Sequence, residues 1–183
     1  LVAMARLQCG LALEMQNRHA EAREFYRSVQ SDRSFDSDEY ARRTAKERLE
    51  RRMTEVERQL MRAANHYRAG SYSSASNVLL PFFNDRQLEA VHRAEAAFYL
   101  GRTRHAQGRL EEALTYYGHA AVNPGDRSAR WQPWSQFYIG TIYAERGETG
   151  KAGALFKQIL SYDHEYAYKK ALEQRVHTAM DQL

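Results

Sequence analysis

Apolar and polar positions along the chain follow helical periodicity. From Leu49 the residues Met53, Val56, Leu60, Ala63 and Tyr67 come at alternating four- and three-residue steps, which places them on one helical face. Tyr168, Leu172, Val176, Ala179 and Leu183 mark a second face near the C-terminus. No segment of comparable length alternates with period two, as a half-buried strand would. Small residues punctuate this pattern in a repeating register. Gly101, Gly108 and Ala113 are spaced by seven and then five residues, and Gly140, Gly147 and Ala152 repeat those intervals. Ala63, Gly70 and Ala75 form another copy, and Gly10, Asn17 and Ala22 a fourth.

The residue types at each register position have a physical reason. A Gly or Ala at the first lets two helices cross closely enough for their ridges to interlock. A Gly or Asn at the second ends a helix, because it accepts the left-handed backbone of a C-terminal cap cheaply. The third is expected on the returning helix, against the first small residue. Bulky residues recur around these points: Leu100, Tyr117 and Ala120 in one copy, Ile139, Tyr143, Phe156 and Ile159 in the next. The predicted unit is an αα-hairpin.

The segment Ala94-Glu95-Ala96-Ala97-Phe98-Tyr99-Leu100-Gly101, followed by Gln107-Gly108-Arg109-Leu110-Glu111-Glu112-Ala113 and by Tyr116-Tyr117 through Pro124, resembles the tetratricopeptide repeat family. The copy containing Phe137-Tyr138-Ile139-Gly140-Thr141-Ile142-Tyr143, Gly147, Ala152 and Phe156 is similar to it as well. Repeats are expected near residues 3–30, 56–83, 94–125 and 133–163, the first and second being the weaker. The implied fold is all-α: one domain over residues 1–183, a tetratricopeptide-like αα-hairpin solenoid of about four irregular helix-turn-helix repeats with a capping helix over 165–183. Arg175-Val176-His177 with Ala179 also resembles the C-terminal end of the tetratricopeptide repeat protein 39 family.

Several features depart from that pattern. Successive first positions are 53, 38 and 39 residues apart, against a family period of about 34. Arg104 stands where the first helix ordinarily carries an aromatic residue, and Pro81 falls in a returning helix, which should kink or stop near Leu80. The longest interval contains a charged insertion over 37–55, with seven cations and six acids from Asp38 to Arg58. Glu39/Arg43 and Glu47/Arg51 have helix-stabilising spacing. A single helix capped by Ser37 or Asp36 is expected to run from about Asp38 to Ala69, long enough to project beyond its neighbours.

Composition narrows the function. Among 183 residues, three prolines and ten glycines are too few for the turns of an all-β fold. The longest apolar run, Val78–Phe83, is far short of the ~20 residues of a membrane helix, so no membrane span is expected. The chain begins at Leu1 with no initiator Met and no secretory signal, and is expected to be a piece of a longer protein. Its lone Cys9 excludes an internal disulfide and is expected to be a buried structural thiol. The formal charge is +4, but acids are interleaved with the cations, so nucleic acid is not an expected partner.

Candidate chemistry reduces to near misses. Gly147-Glu148-Thr149-Gly150-Lys151 lacks the first glycine and the final hydroxyl residue of a phosphate loop. His164-Glu165 is followed by Tyr168 where a zinc-protease motif requires its second His. No catalytic, metal-binding or cofactor-binding set is expected. The family resemblance implies instead a concave groove lined by Leu60, Ala64 and Tyr67, by Phe98, Arg102 and His105, and by Phe137, Thr141 and Ala144. Such a surface suits a protein partner, a peptide or helix with apolar anchors. Phe98→Ala with Phe137→Ala is then expected to weaken binding without unfolding the domain. The alternatives are a homodimer built on the 38–58 helix and a part of a larger envelope-associated assembly protein.

Overall fold

A computed structural model describes residues 2–16, 18–31, 39–50, 53–123, 125 and 130–183. The described residues form ten α-helices with no strand among them, so the chain is all-α. They divide into two compact units, Leu1–Ser71 and Tyr72–Leu183.

The first unit holds α1 (Val2–Met15), α2 (His19–Ser31), α3 (Glu39–Glu50) and α4 (Glu55–Arg68). Helix α1 packs against α2, α3 and α4, and α2 against α3. Ala3, Leu7, Ala22, Tyr26, Val29, Ala41 and Ala45 form the buried cluster of α1, α2 and α3. The expected single helix from Asp38 to Ala69 is two helices. Helix α4 begins anew at a capping box, in which Thr54 Oγ1 accepts from the Glu57 N–H at 3.2 Å and the Thr54 N–H donates to the Glu57 carboxylate at 2.8 Å. Reciprocal satisfaction of two orphan donors starts a helix at this point instead of continuing one. Asp36, Ser37 and Asp38, where the cap and start of the long helix were expected, lie outside the described residues.

A buried polar group ties this unit together. Glu14, on α1, is 4% exposed. Its Oε2 accepts from Arg48 Nη1 of α3 at 2.9 Å and from Asn65 Nδ2 of α4 at 3.3 Å. Burial and the neighbouring Glu14 charge push the Tyr26 hydroxyl far above its ordinary pKa, so it stays neutral. Arg62 of α4 donates from Nε to the Met15 carbonyl at 2.7 Å, satisfying an acceptor at the end of α1.

The second unit holds α5 (Tyr72–Asn84), α6 (Ala90–Ala106), α7 (Leu110–Val122), α8 (Trp131–Glu145), α9 (Thr149–Leu160) and α10 (Lys169–Met180). Each helix packs on the next in the chain, with further contacts of α6 with α8 and of α8 with α10. The repeats expected at 94–125 and 133–163 correspond to α6–α7 and α8–α9. The one at 3–30 corresponds to α1–α2, and the one at 56–83 spans the boundary between the units. Helix α5 runs through Pro81 to Asn84, so of the kink or stop expected near Leu80 the stop does not occur. Pro81 cannot donate to the preceding turn, but its own carbonyl accepts the Asp85 N–H at 3.0 Å. Arg104 is only 13% exposed at its side chain and bridges three helices, pairing with Glu112 of α7 at 3.1 Å and donating to Ser76 Oγ of α5 at 3.3 Å.

The glycine register has a structural counterpart. Gly70, Gly108 and Gly147 have φ of 73°, 72° and 75°. After each, the next residue's N–H returns to a carbonyl five residues back: Ser71 to His66 at 2.9 Å, Arg109 to Arg104 at 2.9 Å and Glu148 to Tyr143 at 2.8 Å. This is a Schellman cap. The same bond runs from Arg18 to Leu13 at 2.9 Å, while Asn17 itself lies outside the described residues. At the first register position the close neighbour differs from the expected Ala. A Cβ built on Gly10 would stand 2.3 Å from the Tyr26 ring, on Gly101 2.5 Å from Tyr117, and on Gly140 2.6 Å from Phe156. A ring sixteen residues on, one turn beyond the Ala, fills the space that the glycine leaves.

Helix α10 covers α9 and α8, with Leu172 and Val176 buried against Phe137, Phe156, Ile159 and Tyr166. The apolar face expected there is shorter than the pattern suggested. Tyr168 precedes the helix at φ 66° and is 64% exposed, and Leu183 follows it. Cys9 is exposed, correcting its expected burial. Among the described residues no helix is long and apolar enough to cross a membrane.

Candidate functional site

The nine residues expected to line a groove belong to two compact units. Leu60, Ala64 and Tyr67 belong to α4 in the first unit, where Leu60 and Ala64 are buried and Tyr67 is half-buried. The other six lie on α6 and α8 in the second unit. Phe98 is 3% exposed and Phe137 8%. The Phe98 ring stands 5.3 Å from Tyr99, 5.4 Å from Trp131 and 5.9 Å from Tyr138, centroid to centroid. Phe137 packs on Phe156, 5.8 Å away, in the cluster that α10 covers. Both rings are therefore core. Truncating them removes packing atoms from the domain itself, contrary to the expectation that the double alanine variant leaves the fold intact.

Arg102, His105 and Thr141 remain half-buried, as does Ala144, which packs with the α8–α9–α10 cluster. Around the first three the structure assembles one continuous face from α6 and α8. The Arg102 guanidinium lies over the Tyr138 ring at 4.3 Å from its centroid, in cation–π range. Tyr138 stacks on Tyr117 of α7, with centroids 5.4 Å apart and planes 13° from parallel. His105 meets Tyr138 edge-on at 6.3 Å, and its Nε2 stands 3.6 Å from the Glu145 carboxylate. Thr141 donates from Oγ1 to the Phe137 carbonyl at 3.0 Å. The arrangement offers a cation, a half-buried aromatic plate, an imidazole, a hydroxyl and a carboxylate.

Tyr138 and Glu145 were not among the expected residues. On α6 the face runs Arg102 to His105. On α8 it runs Tyr138, Thr141, Glu145, at steps of three and four, one residue out of phase with the Phe137, Thr141, Ala144 set at its first and last positions. Helical period alone offers both phases. The deciding signal is that Phe137 packs on Phe156, whose own position is set by Gly140.

Among the described residues no group of three or more His, Cys, Asp or Glu side chains is placed to hold a metal ion. Comparison with protein-family models, curated proteins and solved structures gives no match. The fold class stands as all-α, with helices that pack successively along the chain within the second unit.

Proposed function

We infer that the chain is a non-enzymatic, tetratricopeptide-like interaction module that holds a peptide or helix of a protein partner on the α6–α8 face. The observation that carries this reading is the half-buried set of Arg102 over Tyr138, flanked by His105, Thr141 and Glu145. Arginine and tyrosine, pre-ordered by their own stacking, lose little side-chain freedom on binding and are the residue types that dominate interface energetics. The mechanism is equilibrium association: an apolar anchor packs beside the Arg102–Tyr138 stack while a carboxylate or carbonyl of the partner meets the outward edge of the Arg102 guanidinium. A projecting 38–58 helix no longer supports a homodimer, because α3 ends at Glu50 and α4 starts at Glu55.

The test is selection of a displayed random-peptide library against the chain, followed by titration of an enriched peptide. Arg102→Glu with Thr141→Lys is expected to weaken that peptide about 30-fold, as loss of a ~2 kcal/mol hot spot does, with the helical far-UV spectrum and cooperative unfolding retained. Enrichment of no motif, or equal affinity for the variant, rejects the reading.

A further inference from the structure

We propose that a cleft formed by α5, α6 and α7 binds a small organic oxyanion, a carboxylate or phosphate carried on a flat apolar body. The cleft has a volume of about 410 Å³, within the ~300–1,000 Å³ of small-molecule sites. It lies apart from the α6–α8 face and does not depend on the function proposed for that face. Its polar groups converge from three places. Asn84 ends α5 and Arg86 follows it, Arg93 stands in the first turn of α6, and His119 and Asn123 lie at the end of α7. Three alanines of α6 and the Phe83 ring complete the wall, with Phe83 meeting His119 edge-on at 5.2 Å.

Charge gives the cleft its direction. No carboxylate among the described residues lines it. Two acids adjacent to lining residues make local contacts: Asp85 accepts from the Gln87 N–H at 2.9 Å, and Glu89 stands 3.9 Å from His92 Nε2. Three other arginines of this unit are answered by carboxylates, Arg104 and Arg109 by Glu112 and Arg146 by Glu111, while Arg130 and Arg175 lie over the aromatic rings of Trp131 and Trp134. Among the described residues, neither Arg86 nor Arg93 has such a partner. Arg93 gives one N–H to the Arg86 carbonyl at 3.3 Å, which leaves most of its fork of donors unspent. The carboxyl ends of α5 and α7 bring about −0.5 charge each, and the amino end of α6 about +0.5. Two full guanidinium charges outweigh that balance, so an anion is favoured. Paired guanidinium forks match the geometry of carboxylate and phosphate oxygens. The alanine side chains leave room for a flat group against Phe83.

The experiment titrates the full chain with phenyl phosphate, phenylacetate, inorganic phosphate and benzyl alcohol, read by NMR shifts of the His119 and Phe83 rings. At least one of the two aromatic acids is expected to bind with a Kd of about 1 mM or tighter. The tighter of the two identifies the oxyanion as phosphate or carboxylate, and either result supports the proposal. Arg86→Gln, at an exposed position whose loss leaves packing intact, is expected to weaken that acid at least fivefold, on the order of one lost charge-assisted hydrogen bond. Arg93→Gln is expected to do the same, and His119→Gln serves as the second variant if Arg93→Gln does not fold. No shift with either acid, equal binding of benzyl alcohol, or wild-type affinity in Arg86→Gln overturns the site. Equal affinity for inorganic phosphate and phenyl phosphate overturns the apolar body.

Discussion

Gly101 and Gly108 lie seven residues apart and are glycine for different reasons. At Gly108 a Cβ would meet open space, but φ is 72°, so Ala there is strained by its own backbone. At Gly101 the backbone is helical and the obstacle is the Tyr117 ring, 2.5 Å from the missing Cβ. Gly108→Ala is expected to cost about 1 kcal/mol, and Gly101→Ala about 2–3 kcal/mol, because Tyr117 is fully buried and overpacking forces it off its rotamer. Urea denaturation of the two variants checks the order. Tyr166 supplies a pH effect at the same scale. Burial, with Glu173 nearby, pushes its hydroxyl up to about 12. The unfolded chain loses that proton near pH 10, while the folded chain still holds it. Stability from this group is therefore complete below about pH 10 and is lost as pH rises towards 12. Tyr166→Phe is expected to flatten that alkaline loss in melting curves recorded from pH 9 to 12.

Between helices, polar contacts decide what apolar pattern leaves open. The apolar steps from Leu49 to Tyr67 are consistent with one long helix, yet Thr54 and Glu57 close a capping box that starts α4. The box was present in the sequence as Thr, two residues, then Glu, but its meaning depends on whether the chain before it is helical. Glu14 is the other case. Nothing local marks it as buried, and it becomes so because Arg48 and Asn65 arrive from α3 and α4, 34 and 51 residues away. Arg48→Leu leaves that carboxylate buried without its ion partner and is expected to destabilise by about 3–5 kcal/mol. Glu14→Gln combined with Arg48→Leu is expected to cost less than Arg48→Leu alone, because no unpaired charge remains. Guanidinium denaturation of the two variants makes the comparison, and a larger loss in the double variant would show that packing, not charge, dominates.

For the whole molecule, the chain divides between Ser71 and Tyr72 into two compact units. The second unit contains its own buried residues, from Leu79 through Leu100, Tyr117 and Phe156 to Val176. Residues 72–183 expressed alone are expected to give a helical far-UV spectrum and one cooperative thermal transition. A featureless spectrum from that fragment would show that the unit needs residues 1–71. The same fragment carries every residue of the α6–α8 face, so it is expected to keep the affinity of the intact chain for any peptide that face selects.

By itself the sequence determined the helical class, the turns at Gly70, Gly108 and Gly147, and the need for a small residue at Gly10, Gly101 and Gly140. These rest on interactions within a few turns of chain, where residue type and spacing are enough to set backbone geometry. Only the tertiary structure decided which side of α6 and α8 is surface. Phe98 and Phe137 have the composition of binding anchors, but Tyr117, Trp131 and Phe156 arrive from other helices and bury them. It also decided that Arg104 bridges helices while Arg86 and Arg93 meet no carboxylate among the described residues. Burial and pairing of a side chain are sums over neighbours distant in sequence, and those neighbours exist only once the helices have packed.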